Sequence, residues 1–452
     1  MPVDMMPADY GQWVVAIMTT VCVLTSGQIF AWAGAAQPMI LDGSAGFTLT
    51  KSEFAGMITI TFLGNILSPV PSGVLMDKIG RRNTLRAGLL LAIAAWIIVA
   101  FLHDLVAFYI ARVLMGMWSG VIYTVVPAFI GEVVDPKIRG SVGALVGLML
   151  YVGALYESLV SNFSYQTFIF MSAIPPIALF IALLFIPESP YFYLRKGQRE
   201  DAKNSIIWLK GSCNDEDLKL IQTKVEEQMA MKGSFFDLFK TPASRRAFSI
   251  VEVLLSVQRC SGATVLFAYS TVLVPESLVS PQNSFLVLTV VWIIGSFPAS
   301  IVMDKFNRRT LLTVSCLGSG LAMAATSAWF YLREFTEIDT TTTNWLPLVL
   351  LIISGLFYSM GIVSIPTIIQ SELYPVNLKS IGSACACITA NIVSGAVTQL
   401  VYPINNYVGT YFNFLIMAIA PLSCIIFIFT VMVETKGKSL EAIQDMLNNR
   451  KK

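Results

Sequence analysis

Charged residues are scarce in this chain. Only 13% of its 452 residues are Asp, Glu, Lys or Arg, whereas about a quarter of a soluble globular domain is charged. The net charge of +2 provides no basic face, which argues against a nucleic-acid partner. The single histidine, His103, lies beside Asp104 at a predicted helix end and leaves little scope for histidine-based catalysis.

Reactive side chains are equally sparse. The seven cysteines fall almost entirely inside apolar runs, and their spacing indicates neither a disulfide framework nor a metal site. The sequence has no nucleophile–base pair and no phosphate-binding loop, so we expect no enzymatic activity, no cofactor and no obligate protein partner. We also expect no signal peptide, because the apolar run from Trp13 is too long for the hydrophobic region of one. We expect that run to be a retained first membrane helix.

Long apolar runs dominate the chain instead. Hydrophobic residues make up 55% of it, and the mean hydropathy is +0.70. About 20 apolar residues span a bilayer as a helix, a form in which the backbone satisfies its own hydrogen bonds. We predict twelve such spans, at 13–36, 55–76, 84–102, 107–131, 142–163, 166–186, 248–274, 282–303, 311–332, 346–370, 380–405 and 411–433.

Basic residues indicate the orientation of these spans. All but four of the 30 lysines and arginines lie in or beside the loops that join helices 2–3, 4–5, 6–7, 8–9 and 10–11, or in the C-terminal tail. Basic loops stay in the cytoplasm, so we predict a cell-membrane protein with both termini cytoplasmic. The exceptions are Lys51, Arg112, Arg259 and Arg333.

A long polar segment, 187–246, separates six predicted helices from the next six. Leu218, Ile221 and Val225 recur in it at helical spacing, which favours short amphipathic helices on the cytoplasmic mouth over a flexible linker. We predict four parts: a six-helix half at 1–186, a cytoplasmic helical linker at 187–246, a second six-helix half at 247–433 and a cytoplasmic tail at 434–452.

One short charged turn occurs twice. An acid, a basic residue, two spacers and paired arginines occupy 77–82 and again 304–309, each time between apolar runs. Glutamates follow at corresponding places in both halves, where carboxylate–guanidinium pairs would favour one state of the mouth over another. The alternative is topogenic charge alone, although glutamates add nothing to the positive-inside rule. The predicted cytoplasmic gate comprises Asp77, Arg81, Arg82, Glu132, Arg139, Glu188, Asp304, Arg308, Arg309, Glu372, Lys379 and Glu434.

Taken in order, these motifs resemble the sugar porter family of the major facilitator superfamily, and within it the insect facilitative trehalose transporters. The resemblance implies an all-α membrane protein of twelve transmembrane helices in two pseudo-symmetric six-helix halves. It also implies a carrier that works by alternating access, in which the charged residues form a cytoplasmic latch. It covers about 15–445 and rests on Gly73-x3-Asp77-x2-Gly80-Arg81-Arg82, Arg112-x3-Gly116-x3-Gly120, Pro127-x4-Glu132, Pro187-Glu188-Ser189-Pro190, Ser261-Gly262 and Glu434-Thr435-Lys436-Gly437.

The same resemblance implies a sugar site near mid-membrane, between the halves. The family's Gln-Gln-x-Ser-Gly-x-Asn segment here runs from Gln258 to Thr264, with Arg259 in place of the second glutamine. Amide and hydroxyl groups can form hydrogen bonds with the O–H groups of a sugar, and aromatic rings can pack against its apolar faces. The expected contacts are Gln258, Ser261, Thr264, Arg259, Thr367, Asn391, Gln28, Trp32 and Trp292.

Arg259 is the most informative departure from the family pattern. It lies about eleven residues into the span 248–274, which at a rise of about 1.5 Å per residue places it near mid-membrane. A charge at that depth requires a partner. We hypothesise that it pairs with Glu157 or holds an anionic group of the substrate, and hydration in a wet cavity is the alternative. Proton-coupled members of the family use an acid on helix 1. The span 13–36 has no acid, so we expect downhill transport without coupling.

The leading prediction is a facilitative carrier, a uniporter that moves a sugar of trehalose or hexose type across a lipid bilayer by alternating access. Two alternatives stay open. One is a carrier of a non-sugar or anionic organic solute through Arg259, and the other is a transport-dead membrane sensor. A panel of labelled solutes would distinguish them.

Overall fold

A computed structural model describes residues 10–214, 218–219, 221–223, 225–226, 234–273, 281–374, 376–436, 438 and 440–449. Within these residues the protein contains α-helices, one 3₁₀ helix at Thr341–Thr343 and no strand. The α-helices are α1 (Tyr10–Leu41), α2 (Lys51–Leu67), α3 (Pro69–Ile79), α4 (Arg81–Phe101), α5 (Leu105–Val133), α6 (Pro136–Val160), α7 (Tyr165–Ala182), α8 (Pro190–Arg195), α9 (Arg199–Lys210), α10 (Asp237–Lys240), α11 (Pro242–Cys260), α12 (Ala263–Leu273), α13 (Pro281–Lys305), α14 (Arg308–Phe335), α15 (Leu346–Met360), α16 (Ile365–Leu373), α17 (Val376–Tyr407), α18 (Thr410–Thr430) and α19 (Leu440–Asn449).

The helices supply the twelve predicted membrane spans. In the described part of the chain, nine helical stretches are each long and apolar enough to cross a bilayer alone. One more span is the bent pair α2 and α3, and two shorter apolar stretches lie in α6 and α13. The predicted all-α, multi-pass architecture is therefore confirmed.

Three of the spans are broken. The bend between α2 and α3 is 43° and falls at Ser68, because Pro69 and Pro71 lack the N–H groups that would continue the helix. The seventh span breaks between α11 and α12 at Ser261 and Gly262. Gly262 has a φ of +104°, which favours glycine because it has no Cβ. The tenth span breaks between α15 and α16.

The chain forms two compact units. The first unit consists of Met1–Ile29, Leu63–Gly153 and Gln166–Lys232. The second unit consists of Phe30–Phe62, Ala154–Tyr165 and Gly233–Lys452.

Trp118 on α5 anchors the core of the first unit. Its ring lies against Gly88 of α4, where an added Cβ would come within 2.6 Å of the ring. Its indole N–H donates to the Thr25 hydroxyl of α1 at 2.8 Å. The hydroxyls of Ser26 and Ser119 share a hydrogen bond of 2.6 Å. Small residues thus allow α1, α4 and α5 to pack closely, as they do in other membrane helices.

The polar linker is folded onto the first unit. Ala202 and Ile206 of α9 form a buried cluster with Leu218, and Val225 is buried as well. Gly11 of α1 touches the α9 backbone so closely that a Cβ there would come within 2.3 Å of the Trp208 carbonyl oxygen. Leu218 and Val225, two of the apolar residues that recur at helical spacing in the sequence, are thus buried.

The second unit has a long apolar core. Helices α11, α14, α16, α17, α18 and α19 all contribute buried side chains to it, among them Leu254, Leu312 and Ile369. Tyr374, which follows α16, covers Gly382 of α17, where a Cβ would come within 2.6 Å of the ring. These contacts hold the lower half of the broken tenth span, α16, against α11 and α17.

The second unit also joins α1 and α2 to α17. The Gln37 amide of α1 donates to the Tyr402 hydroxyl. The Thr59 hydroxyl of α2 donates to Gln399 Oε1 at 2.7 Å. One turn further, Gly395 lies beside Phe62, whose Cβ is 3.5 Å from the position of a Cβ on Gly395.

Candidate functional site

The first charged cluster consists of Asp77, Arg81, Arg82, Glu132, Glu188 and Arg195. Its centre is Glu188, which is only 1% exposed. The Glu188 carboxylate accepts hydrogen bonds from the backbone N–H groups of Arg81 at 2.8 Å and Arg82 at 3.1 Å. These are the unsatisfied donors at the N-terminus of α4, where the helix dipole also favours a negative charge. Glu188 is therefore a helix cap that joins the end of the sixth span to the start of the third.

Arg81 joins this cap to the fourth span. Its Nη2 and Nε donate to Glu132 Oε1 at 2.7 and 3.1 Å, while the Ser189 hydroxyl donates to the other oxygen of Glu132. Arg81 is 3% exposed, so the contact is shielded from water. Gly80 has a φ of +95°, and a Cβ there would come within 2.3 Å of the Glu188 carboxylate. The turn thus requires glycine for two reasons.

The linker helix α8 completes the first charged cluster. Arg195 donates to Asp77 at 2.6 Å across the exposed edge of the cluster. Arg82 donates through Nη1 to the Ile186 carbonyl at 2.8 Å. Burial raises the pKa of the Tyr193 hydroxyl, and the positive charge of Arg82 partly opposes that rise.

The second charged cluster, formed by Arg308, Arg309, Glu372 and Glu434, repeats this pattern. Glu434 accepts from the backbone N–H groups of Arg308 at 3.1 Å and Arg309 at 3.0 Å, at the N-terminus of α14. Arg308 lies 3.8 Å from Glu372. Arg309 donates to the Phe429 carbonyl at 3.1 Å, as Arg82 does to Ile186 in the first cluster. Each unit therefore contains a glutamate-capped helix start and an arginine–glutamate pair.

Nine of the twelve predicted gate residues lie in these two charged clusters, one cluster in each unit. Lys379 is exposed, and the side chains of Arg139 and Asp304 lie outside the described residues. Sequence reasoning anticipated the guanidinium–carboxylate pairs but missed the backbone capping by Glu188 and Glu434. The signal was available, because each glutamate follows a span and each paired-arginine turn begins a helix.

Gln258 links two helix breaks in the second unit. Its amide nitrogen donates to the carbonyl oxygens of Ile362 at 2.9 Å and Val363 at 2.7 Å, in the break between α15 and α16. The Tyr358 hydroxyl returns a hydrogen bond of 3.3 Å to the Gln258 carbonyl. Carbonyls freed by a helix break need a donor inside a membrane. The predicted sugar contact Gln258 thus also holds the tenth span to the end of α11.

Arg259 has no anionic partner among the described residues. It is half-buried, its Nε is covered without an acceptor, and it lies in electrostatic range of Tyr358 and Cys387. No ion pair between described residues joins it to Glu157, so that form of the prediction is not observed. Arg112, the other arginine deep in a span, donates to the Ile29 carbonyl at 2.9 Å.

The other predicted contacts differ in their surroundings. Ser261 and Asn391 are buried and donate to carbonyls of their own helices, those of Val257 at 2.6 Å and Cys387 at 2.8 Å. Thr367 is exposed and donates to Ser364 at 2.8 Å. Their oxygens remain able to accept hydrogen bonds. Thr264 is half-buried at the start of α12, whereas Gln28, Trp32 and Trp292 are buried.

Comparison with known proteins identifies the family. A family model described as "Sugar (and other) transporter" matches residues 15–447. The chain belongs to this family. The "Facilitated trehalose transporter Tret1" of Bombyx mori is 27% identical to it over 428 residues, which cover 92% of this chain and 83% of that protein. The "Sugar transporter ERD6-like 6" of Arabidopsis thaliana is 26% identical, with 88% and 83% covered.

Solved structures show that this family member has the major facilitator fold. The "Inward open conformation of the xylose transporter XylE from E. coli" has a TM-score of 0.79 at 18% identity, with 96% of this chain and 99% of that chain covered. A second structure of the same protein, with a TM-score of 0.77, is described as a member of the major facilitator superfamily. The predicted twelve-span major facilitator architecture is thereby confirmed. Membership of a transporter family also confirms that the chain is not an enzyme.

One ionisable residue, Glu252, was not among the functional residues predicted from the sequence. Glu252 lies on α11, two helical turns before Arg259, inside the predicted span 248–274. Both of its carboxylate oxygens are covered by protein, and neither has a hydrogen-bond partner in the described part of the chain. The signal was the residue itself, since an acid inside a span marks a functional site by default.

Proposed function

We propose that the protein carries a sugar, of trehalose or hexose type, across the cell membrane by alternating access. Membership of the sugar transporter family supports the substrate class, as do the trehalose and xylose transporters among its relatives. The observation that carries the mechanism is the repeated charged cluster. The same cap and the same arginine–glutamate pair occur in each unit. Equivalent contacts in two places suit a carrier whose two halves move as similar bodies.

The proposed cytoplasmic gate consists of the two charged clusters. Their basic residues belong to the loops that the positive-inside rule assigns to the cytoplasm, and this orientation gives both termini a cytoplasmic location. We propose uncoupled, downhill transport as the working mode of the sugar site. The proposed sugar contacts are Gln258, Ser261, Thr264, Arg259, Thr367, Asn391, Gln28, Trp32 and Trp292.

Counterflow into proteoliposomes tests this proposal. Purified protein is reconstituted with unlabelled trehalose or glucose inside, and the entry of the labelled sugar is followed. We expect entry above that of protein-free vesicles for at least one sugar. An Arg81→Gln variant should slow it about tenfold or more, because one charge-assisted contact is worth about 1.5–3 kcal/mol. Glu337→Gln, in an exposed loop, is the matched control. Folded protein that moves no sugar and no anion would favour the membrane-sensor alternative.

The lack of an anionic partner for Arg259 favours a second candidate, a carrier of an anionic organic solute. A cation inside a span is costly unless something neutralises it, and a carboxylate on the solute would do so. Labelled glucuronate and glucose form a matched pair for the test, because they differ at one carboxylate. If the solute is anionic, the parent prefers glucuronate and Arg259→Gln loses that preference. Equal preference in both proteins would rule this candidate out.

A further inference from the structure

Glu252 occupies an unusual place for a carboxylate. It is half-buried and lies beside Tyr374 and Cys385 of the apolar core of the second unit, where α11 packs against α16 and α17. Protein covers both carboxylate oxygens, and neither accepts a hydrogen bond from a described residue. Buried carboxylates in proteins are normally paired with a cation or hydrogen-bonded, because an isolated buried charge is very costly.

The groups around Glu252 do not neutralise it. The Thr389 hydroxyl of α17 lies beside the carboxylate but outside hydrogen-bond geometry. The Tyr374 hydroxyl and the Cys385 thiol are in electrostatic range. The Tyr374 hydroxyl is itself buried, and no described residue forms a hydrogen bond with it. Both are neutral weak acids at pH 7. No ion pair of the described residues includes Glu252.

Two cations on the same helix are also placed away from this carboxylate. Arg246, one and a half turns earlier, donates to the Leu447 carbonyl of α19 at 2.6 Å. Arg259 lies on the same face but seven residues later, which is about 10 Å along the helix. Neither forms an ion pair with Glu252 among the described residues. A proton is the smallest positive charge that can neutralise a covered carboxylate without further ligands.

We propose that Glu252 is a proton-binding site of this carrier. The neutral acid adds an O–H donor that the carboxylate does not have, and the oxygens of the adjacent Tyr374 and Thr389 hydroxyls can accept a hydrogen bond from it. The proton is held while α16 is packed against α11 and α17, as in this structure. It is released when α16 moves away and water reaches the carboxylate. Cation binding by oxygen ligands is the alternative that the experiment must separate.

The consequence for the transport cycle is a dependence on pH. Conformations in which α16 covers Glu252 need the neutral acid, so they are populated at low pH and lost as pH rises. Glutamine at this position removes the charge at every pH and keeps the shape. The inference goes beyond the proposed function, because it holds for any solute that the carrier moves. It requires no proton to cross the membrane, so it is compatible with the downhill transport proposed above.

Infrared spectroscopy tests the site without any transport assay. The full-length protein in lipid nanodiscs is compared with Glu252→Gln at pH 7, where a glutamate in water is ionised. We expect the parent to show the carbonyl band of a protonated carboxylic acid that the variant lacks, and the band should shift in deuterated buffer. Glu337→Gln should keep the band. If Glu252→Gln does not fold, Glu252→Met, of similar volume, replaces it.

A parent spectrum without that band at pH 7 would overturn the proposal. So would a band that disappears when choline is replaced by sodium in the buffer, because the ligand would then be the metal cation. Counterflow of a transported sugar provides a second readout. In the parent it should fall about tenfold per pH unit above the transition, as expected for one titrating group, and in Glu252→Gln it should stay flat. If the protein shows no sugar counterflow, the proposed function fails, and the infrared spectrum alone tests the proton-binding site.

Discussion

Gly73 and Gly80 belong to the same sequence motif in the first half of the chain, but their surroundings differ. Gly80 has a φ of +95° and touches the Glu188 carboxylate, whereas Gly73 is helical and has open space where its Cβ would lie. We expect Gly80→Ala to lower the free energy of unfolding by about 1–3 kcal/mol. Gly73→Ala should leave it unchanged or raise it by up to about 1 kcal/mol. Denaturant unfolding of the purified protein measures both, and equal effects would contradict the assignment.

Glu188 illustrates how one carboxylate can hold a helix start. Glutamine at this position keeps the size but loses the charge that the backbone N–H groups of Arg81 and Arg82 bind. We expect Glu188→Gln to lower the free energy of unfolding by about 1.5–3 kcal/mol, the range for hydrogen bonds to a charged group. Glu434→Gln should have a similar effect because it caps α14 in the same way. An effect no larger than that of the exposed Glu337→Gln control would contradict the capping role.

At the scale of helices, the breaks in the seventh and tenth spans depend on each other. Gln258 supplies the donors for the Ile362 and Val363 carbonyls, so Gln258→Leu leaves two acceptors without partners. We expect a loss of about 1–3 kcal/mol in the free energy of unfolding, together with faster hydrogen exchange in α16. Thr367→Ala is the control, because among the described residues the Thr367 hydroxyl bonds only within its own turn. Unchanged exchange in α16 would show that the link is dispensable.

The sequence predicts the structure correctly where one physical quantity, such as apolar length or helical spacing, determines the outcome. The twelve spans were predictable because apolar length alone determines which segments cross a bilayer, and the linker stripe at Leu218 and Val225 follows from helical spacing. The break at Gly262 was not identified, since hydropathy counts side chains and does not report backbone angles. Capping by Glu188 and bridging by Gln258 were missed because both depend on backbone groups of helices distant in sequence.

At the scale of the whole molecule, the proposal of alternating access concerns contacts that must form and break. Within the second unit α2 meets α17 through the Thr59–Gln399 hydrogen bond and through Phe62 beside Gly395. In the predicted arrangement α2 belongs to the first six-helix half and α17 to the second. A carrier that opens alternately to either side has to separate these two helices once in each cycle.

A disulfide between α2 and α17 tests this claim most directly. The Cβ of Phe62 lies 3.5 Å from the Cβ position at Gly395, which is within the range that a disulfide spans. In a Phe62→Cys, Gly395→Cys double variant, oxidation should form the bond and stop sugar counterflow, and a reductant should restore it. Each single variant, treated with the same oxidant, should keep its counterflow. Full counterflow by protein whose disulfide has formed would contradict alternating access at this contact.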